Sequence, residues 1–130
     1  MQKSGISIIN KTKGTFVKSE VLFSSIKDKI LGKKYDLSLV FIPPTKSREL
    51  NYKFRGKNKP TNVLSFPLSK NSGEIFITPS VAKKEAPKFG KTFNAFVAQL
   101  LIHGLFHLKG MEHGGRMERA EAKIQKHFGI

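Results

Sequence analysis

Three of the four histidines in this 130-residue chain fall within LIHGLFHLKGMEHGG, residues 101–115. They are His103, His107 and His113. Residues four apart on a helix share a face, with Cβ atoms about 5–6 Å apart. That spacing brings the imidazoles of His103 and His107 within reach of one ion. Gly110 follows three residues later and can take the left-handed conformation that ends a helix and turns the chain. His113 can then return to the same point. Three neutral imidazole nitrogens around a divalent ion leave a position open for water, which is the ligand count of a catalytic zinc site. The expectation is one Zn2+ per chain on these three residues. A lone helical histidine is ordinarily just a helix residue; the set of three, with a glycine at the bend, points to a metal. His127 has no such neighbours and reads as a surface or helix-end residue.

The run 103–113 resembles the metzincin pattern H-E-x-x-H-x-x-G-x-x-H. One difference decides the chemistry. The general-base glutamate of those proteases would stand at position 104, which is Gly104. The arrangement is zincin-like, but the peptide-bond mechanism lacks its base. Glu112, beside His113, is the candidate carboxylate for orienting a ligand imidazole; the plainer alternative is a solvated loop charge.

A second cluster lies in NYKFRGKNKPTNVLSFPL, residues 51–68, where Arg55 precedes a glycine and then Lys57 and Lys59. A guanidinium can grip phosphate oxygens in a planar fork and offset charge that develops on them. Taken alone, an arginine here is more often a surface residue. Composition favours a polyanionic partner. Twenty-four Lys and Arg against nine Asp and Glu leave a formal charge of +15, and binding to phosphates releases their condensed counterions. A lysine-rich soluble surface is the plainer reading. Cysteine is absent, which excludes disulfides and thiolate metal sites. The N-terminus lacks the apolar run of a signal peptide, and no stretch could span a membrane. A soluble, cytoplasmic protein is expected.

The elements that must position these residues can be read from periodicity and breakers. Strands are expected over 4–10, 35–42, 62–68 and 73–77. The last two form a hairpin with a loop of four or five residues, and Pro67 marks an edge or a bulge. The helix over 16–32 should present Val17, Val21, Ile26 and Ile30 to the core. A short helix over 45–54 ends at Gly56. Thr78 and Pro79 suggest an N-cap and first helical position, with a helix to about Lys84. The strongest helix runs from Phe93 to Lys109 and is apolar on most of its circumference. A last amphipathic helix begins near Arg116, with Met117, Ala120, Ile124 and Phe128 on one face. The order β-α-β-α-β-β-α-α-α implies one domain over 1–130, α+β or α/β, with a roughly four-stranded mixed sheet packed with about five helices.

These blocks resemble the YbeY family of ribosomal-RNA maturation factors, described as endoribonucleases. The family pattern H-G-x-x-H-L-x-G-x-D-H matches 103–113. A second block, Y-R-G-K-x-x-P-T-(D/N)-V-L-S-F-P, matches 54–67, and a G-(D/E)-I-x-I strand with its helix matches 73–82. Glu112 replaces the usual aspartate and Phe54 the usual tyrosine. The resemblance implies an α+β fold, a zinc-type ion on His103, His107 and His113, a functional Arg55 near it, and work on ribosomal RNA and the small ribosomal subunit. The expected activity is metal-dependent, single-strand-specific RNA cleavage in rRNA maturation and ribosome quality control, with Lys57 and Lys59 holding the RNA backbone. Two rivals stand beside it. One is a non-catalytic assembly factor with a structural metal. The other is a metal-dependent hydrolase of another substrate, which the missing carboxylate at 104 and the basic charge disfavour.

Overall fold

A computed structural model describes residues 5–14 and 19–130. Val17, and the first residues of the expected 16–32 helix and 4–10 strand, lie outside them. Four strands form one sheet: β1 (Ile6–Asn10), β2 (Asp36–Phe41), β3 (Val63–Ser69) and β4 (Ser72–Ile77). Their order is β1-β2-β4-β3. The first three in that order are parallel, and β3 runs antiparallel to β4 on the edge. The helices are α1 (Glu20–Leu31), α2 (Pro44–Arg55), α3 (Pro79–Glu85), α4 (Phe93–Leu108) and α5 (Gly115–Phe128), with a 3-10 turn over Ala86–Phe89. This is the expected single α+β domain with a mixed sheet. No helix among the described residues is long and apolar enough to cross a membrane.

The β3–β4 hairpin is tighter than expected, with only Lys70 and Asn71 between the strands. Ser69 and Ser72 close it through their hydroxyls, 2.7 Å apart. Pro67 cannot donate to a ladder, and both sequence readings of it hold. It lies on the edge strand, and the register shifts between Pro67 and Ser69.

Helix α1 buries Ile26 and Ile30, as its apolar spacing suggested, but not Val21. Val21 is 79% exposed, whereas Phe23, Ile26, Lys27 and Ile30 are buried. The buried stripe also includes a lysine, which a purely apolar count passes over. Lys27 is fully buried, and its ammonium satisfies the end of its own helix. It donates to the Tyr35 carbonyl at 2.8 Å and the Gly32 carbonyl at 3.3 Å, and pairs with Asp28 at 2.7 Å. Thr78 does stand at the N-cap of α3, but its buried side chain makes no capping bond.

Helix α4 is the centre of the packing. Thr92 caps it by accepting from the Ala95 N–H at 3.2 Å. It lies against β3, β4, α1, α3 and α5, so Phe96, Val97, Leu100, Leu101, Ile102 and Leu105 are all buried. That agrees with a helix apolar nearly all round. Met117 and Ile124 are the buried residues by which α5 packs beside it. His127 is exposed near the end of α5.

Candidate metal centre and cleft

The C-terminal turns of α4 carry His103 and His107. The helix then closes in a Schellman motif: the Gly110 N–H donates to the His107 carbonyl at 2.9 Å, and the Met111 N–H to the Phe106 carbonyl at 3.0 Å. Gly110 has φ +99°, a region that an L side chain rarely enters. This bend returns the chain so that His113 meets the helix histidines. Ring centroids are 4.6 Å apart for His103–His107, 5.1 Å for His103–His113 and 4.6 Å for His107–His113.

The donor set fits a divalent ion. Two nitrogens each about 2.0–2.1 Å from one ion, in tetrahedral geometry, sit about 3.4 Å apart. The Nε2 atoms of His103 and His107 are 3.1 Å apart, and one ligand atom from each of the three residues lies within 4.8 Å of the others. The histidines stand at the negative end of the α4 dipole, which favours a cation. Burial first, then the neighbouring His103 and His113 imidazoles, hold the pKa of His107 below its ordinary value, against smaller opposing effects of the Met111 backbone and Glu121. A neutral imidazole is the form that binds metal.

The carboxylate that touches one of the three rings is Glu121, on α5. Its Oε2 lies 3.0 Å from His103 Nδ1. When Nδ1 carries the proton and donates it to Glu121, Nε2 keeps its lone pair for an ion. Glu112 instead occupies an exposed position in the turn. Sequence reasoning missed Glu121, although a signal existed. It stands four residues after Met117 and three before Ile124, within the stripe of α5 that faces inward.

Gly104 has a structural explanation beyond the absent base. A Cβ at this position would meet Ser65 Oγ at 2.7 Å and Ile75 Cδ1 at 3.0 Å. The glycine lets α4 lie close on β3 and β4. A glutamate at 104 would point into the sheet.

The three histidines open into a cleft of about 560 Å³ whose walls include Arg55, Glu121 and the β3 segment from Val63 to Phe66. Arg55 ends α2, just before Gly56, whose left-handed backbone (φ +69°) stops the helix. The polar face of α2 anchors the loop that leads into β3. Ser47 Oγ donates to the Thr61 carbonyl at 2.9 Å, and Asn51 Nδ2 to the Lys59 carbonyl at 2.8 Å. The Arg55 side chain is exposed and has no ion pair among the described residues. Lys57 and Lys59 lie on the exposed loop after α2, outside the cleft wall. The structure therefore lines one cleft with Arg55 and the three histidines, and the two lysines are not part of that lining.

A family model described as Endoribonuclease YbeY matches residues 3–128. Among curated proteins, the chain is similar to Endoribonuclease YbeY of Thermotoga maritima, with 33% identity over 117 residues covering 84% of this chain and 78% of the relative. It is also similar to Endoribonuclease YbeY of Campylobacter fetus, with 36% identity over 117 residues covering 83% and 87%. A solution structure of a Thermotoga maritima protein superposes with a TM-score of 0.64 at 28% identity, covering 95% of this chain and 89% of that one.

Proposed function

The chain belongs to the YbeY family of endoribonucleases, and on that premise we propose that it is a metal-dependent enzyme that cuts single-stranded RNA. Its substrate is ribosomal RNA, met in the cytoplasm during small-subunit maturation and ribosome quality control. The observation that carries this reading is the sharing of one cleft by Arg55 and the three-histidine cluster. A cation site beside an unpaired guanidinium suits a phosphodiester, which is anionic before reaction and more so during it.

His103, His107 and His113 would hold the ion, and zinc suits an all-imidazole donor set. When bound there, a divalent ion supplies Lewis acidity for the phosphodiester and for water. The chain's own residues do the rest. Arg55 binds the non-bridging phosphate oxygens and offsets the charge that grows on them. Glu121 holds the His103 ring and its tautomer. Lys57, Lys59 and the net positive charge draw the RNA backbone to this face. Gly104 leaves no carboxylate over the ligands, which is consistent with a substrate other than a peptide.

The test is Arg55→Ala and Arg55→Lys in the full chain, assayed on a defined single-stranded RNA, with metal content measured in parallel. Loss of one charge-stabilising donor lowers kcat about 100- to 1,000-fold. Metal content and thermal stability stay unchanged. Lysine recovers only part of the rate, because it keeps the charge and loses the fork. Unchanged cleavage by Arg55→Ala at full metal content would contradict the reading and favour a structural metal.

A further inference from the structure

Two phenylalanines in the cleft stand where hydrophobic packing would not leave them. Phe54 is 56% exposed and Phe89 is 60% exposed, and both contribute to the cleft that holds the histidines. We propose that Phe54 and Phe89 are the platforms on which unpaired nucleobases of the bound strand stack. The inference rests on the endoribonuclease reading and adds how the substrate is gripped.

Each ring is supported from behind by a second one. Phe54 packs on Phe66 with centroids 4.9 Å apart and planes at 55°. Phe89 lies nearly parallel to Phe96, with centroids 5.3 Å apart and planes at 16°. The backing rings stop the exposed ones from collapsing inward and hold a fixed aromatic surface toward solvent. Both rings also sit in the same local device. Phe54 lies in KFRGK (53–57) and Phe89 in KFGK (88–91). Each precedes a glycine with left-handed backbone, Gly56 at φ +69° and Gly90 at φ +65°, which stops the helical turn and presents the aromatic ring at its end. Basic residues flank each ring: Lys53 and Arg55 around Phe54, Lys88 and Lys91 around Phe89.

An aromatic face between cations fits an unpaired nucleotide, whose base stacks while its phosphate meets the charge. A protein partner or a lipid would call for one contiguous apolar patch. Here the two rings pack on different partners, Phe66 and Phe96, and a basic residue adjoins each in sequence. Phe96, behind Phe89, precedes His103 by seven residues on α4, about 10 Å along the helix, whereas Phe54 adjoins Arg55. One base would thus stack beside the phosphate-binding arginine and another roughly two helical turns along the cleft. The Lys53 ammonium lies 5.4 Å from the Phe54 centroid. It sits on a flexible exposed side chain that can move from the ring to a phosphate as a base arrives. A duplex hides its base faces, so these platforms select single strands.

The experiment uses the zinc-loaded full chain and a cleavage-resistant 2′-O-methyl single strand carrying one 2-aminopurine, beside the same strand with abasic sites. Fluorescence quenching reads stacking and anisotropy reads affinity. Wild type quenches the probe. Phe54→Leu and Phe89→Leu each lose quenching and about tenfold in affinity, while Phe54→Tyr and Phe89→Tyr retain both. The abasic strand binds wild type and leucine variants alike. Thermal unfolding of each variant confirms the fold. If wild type binds and cleaves RNA but the leucine variants quench and bind as well as it does, stacking is wrong and the nuclease reading stands. If wild type neither binds nor cleaves any single strand, both fall.

Discussion

Nδ1 of His103 lies 3.0 Å from Oε2 of Glu121, a contact that ties the histidine-bearing helix α4 to α5 across 18 positions of sequence. The Glu121 side chain is only 14% exposed, so this carboxylate is held in place beside the ring. It aims the imidazole and fixes its tautomer.

Glu121→Gln keeps an acceptor near Nδ1 and removes the charge. Metal affinity falls about 10- to 100-fold, with the fold intact by circular dichroism. Competition titration against a zinc chelator measures it. Glu112→Gln, in the exposed turn, leaves affinity near wild type. The reverse ranking would mean that the turn carboxylate orients the site.

Gly104 is expected to resist any side chain. Gly104→Ala destabilises the protein by about 1–3 kcal/mol, the usual range for overpacking, because its Cβ would press on Ser65 Oγ and Ile75. Adding Ser65→Ala removes the nearer obstacle and recovers part of the loss. Urea denaturation of the two single variants and the double variant measures the coupling; strict additivity would place the strain elsewhere.

Acid should weaken the chelated protein through His107. Its folded pKa is below the ordinary 6.5, with burial the leading cause. The unfolded chain therefore takes up a proton at a higher pH than the folded one. Stability is lost as pH falls below about 6.5 and stops falling, for this group, below the folded pKa. The midpoint of thermal unfolding drops over that window, and His107→Gln shows a shallower drop. An identical slope in the variant would assign the acid sensitivity to other groups.

Much of the site was legible because its residues are close in sequence. The four-residue spacing of His103 and His107, the glycine at 110 and the return to His113 all belong to one helix and its cap, where local rules suffice. The apolar run of α4 and the bulge at Pro67 were legible for the same reason. Glu121 was not, because its partner lies on another helix and periodicity within α5 does not say which helix its stripe will meet. Val21 misled for a related cause. The buried face of α1 includes Lys27, whose ammonium is satisfied by the Tyr35 and Gly32 carbonyls and Asp28, partners visible only after folding. Thr78 shows the limit of cap rules: the residue type and position are right, yet its side chain is buried without capping.

The most direct measurement is single-stranded RNA cleavage by the full chain as isolated, after chelation, and after stepwise return of zinc, with elemental analysis at each stage. Cleavage is lost on stripping and recovers to saturation at one zinc per chain, with no recovery in His113→Ala. Full cleavage by the stripped protein, or none at one zinc per chain, would contradict a metal-dependent nuclease.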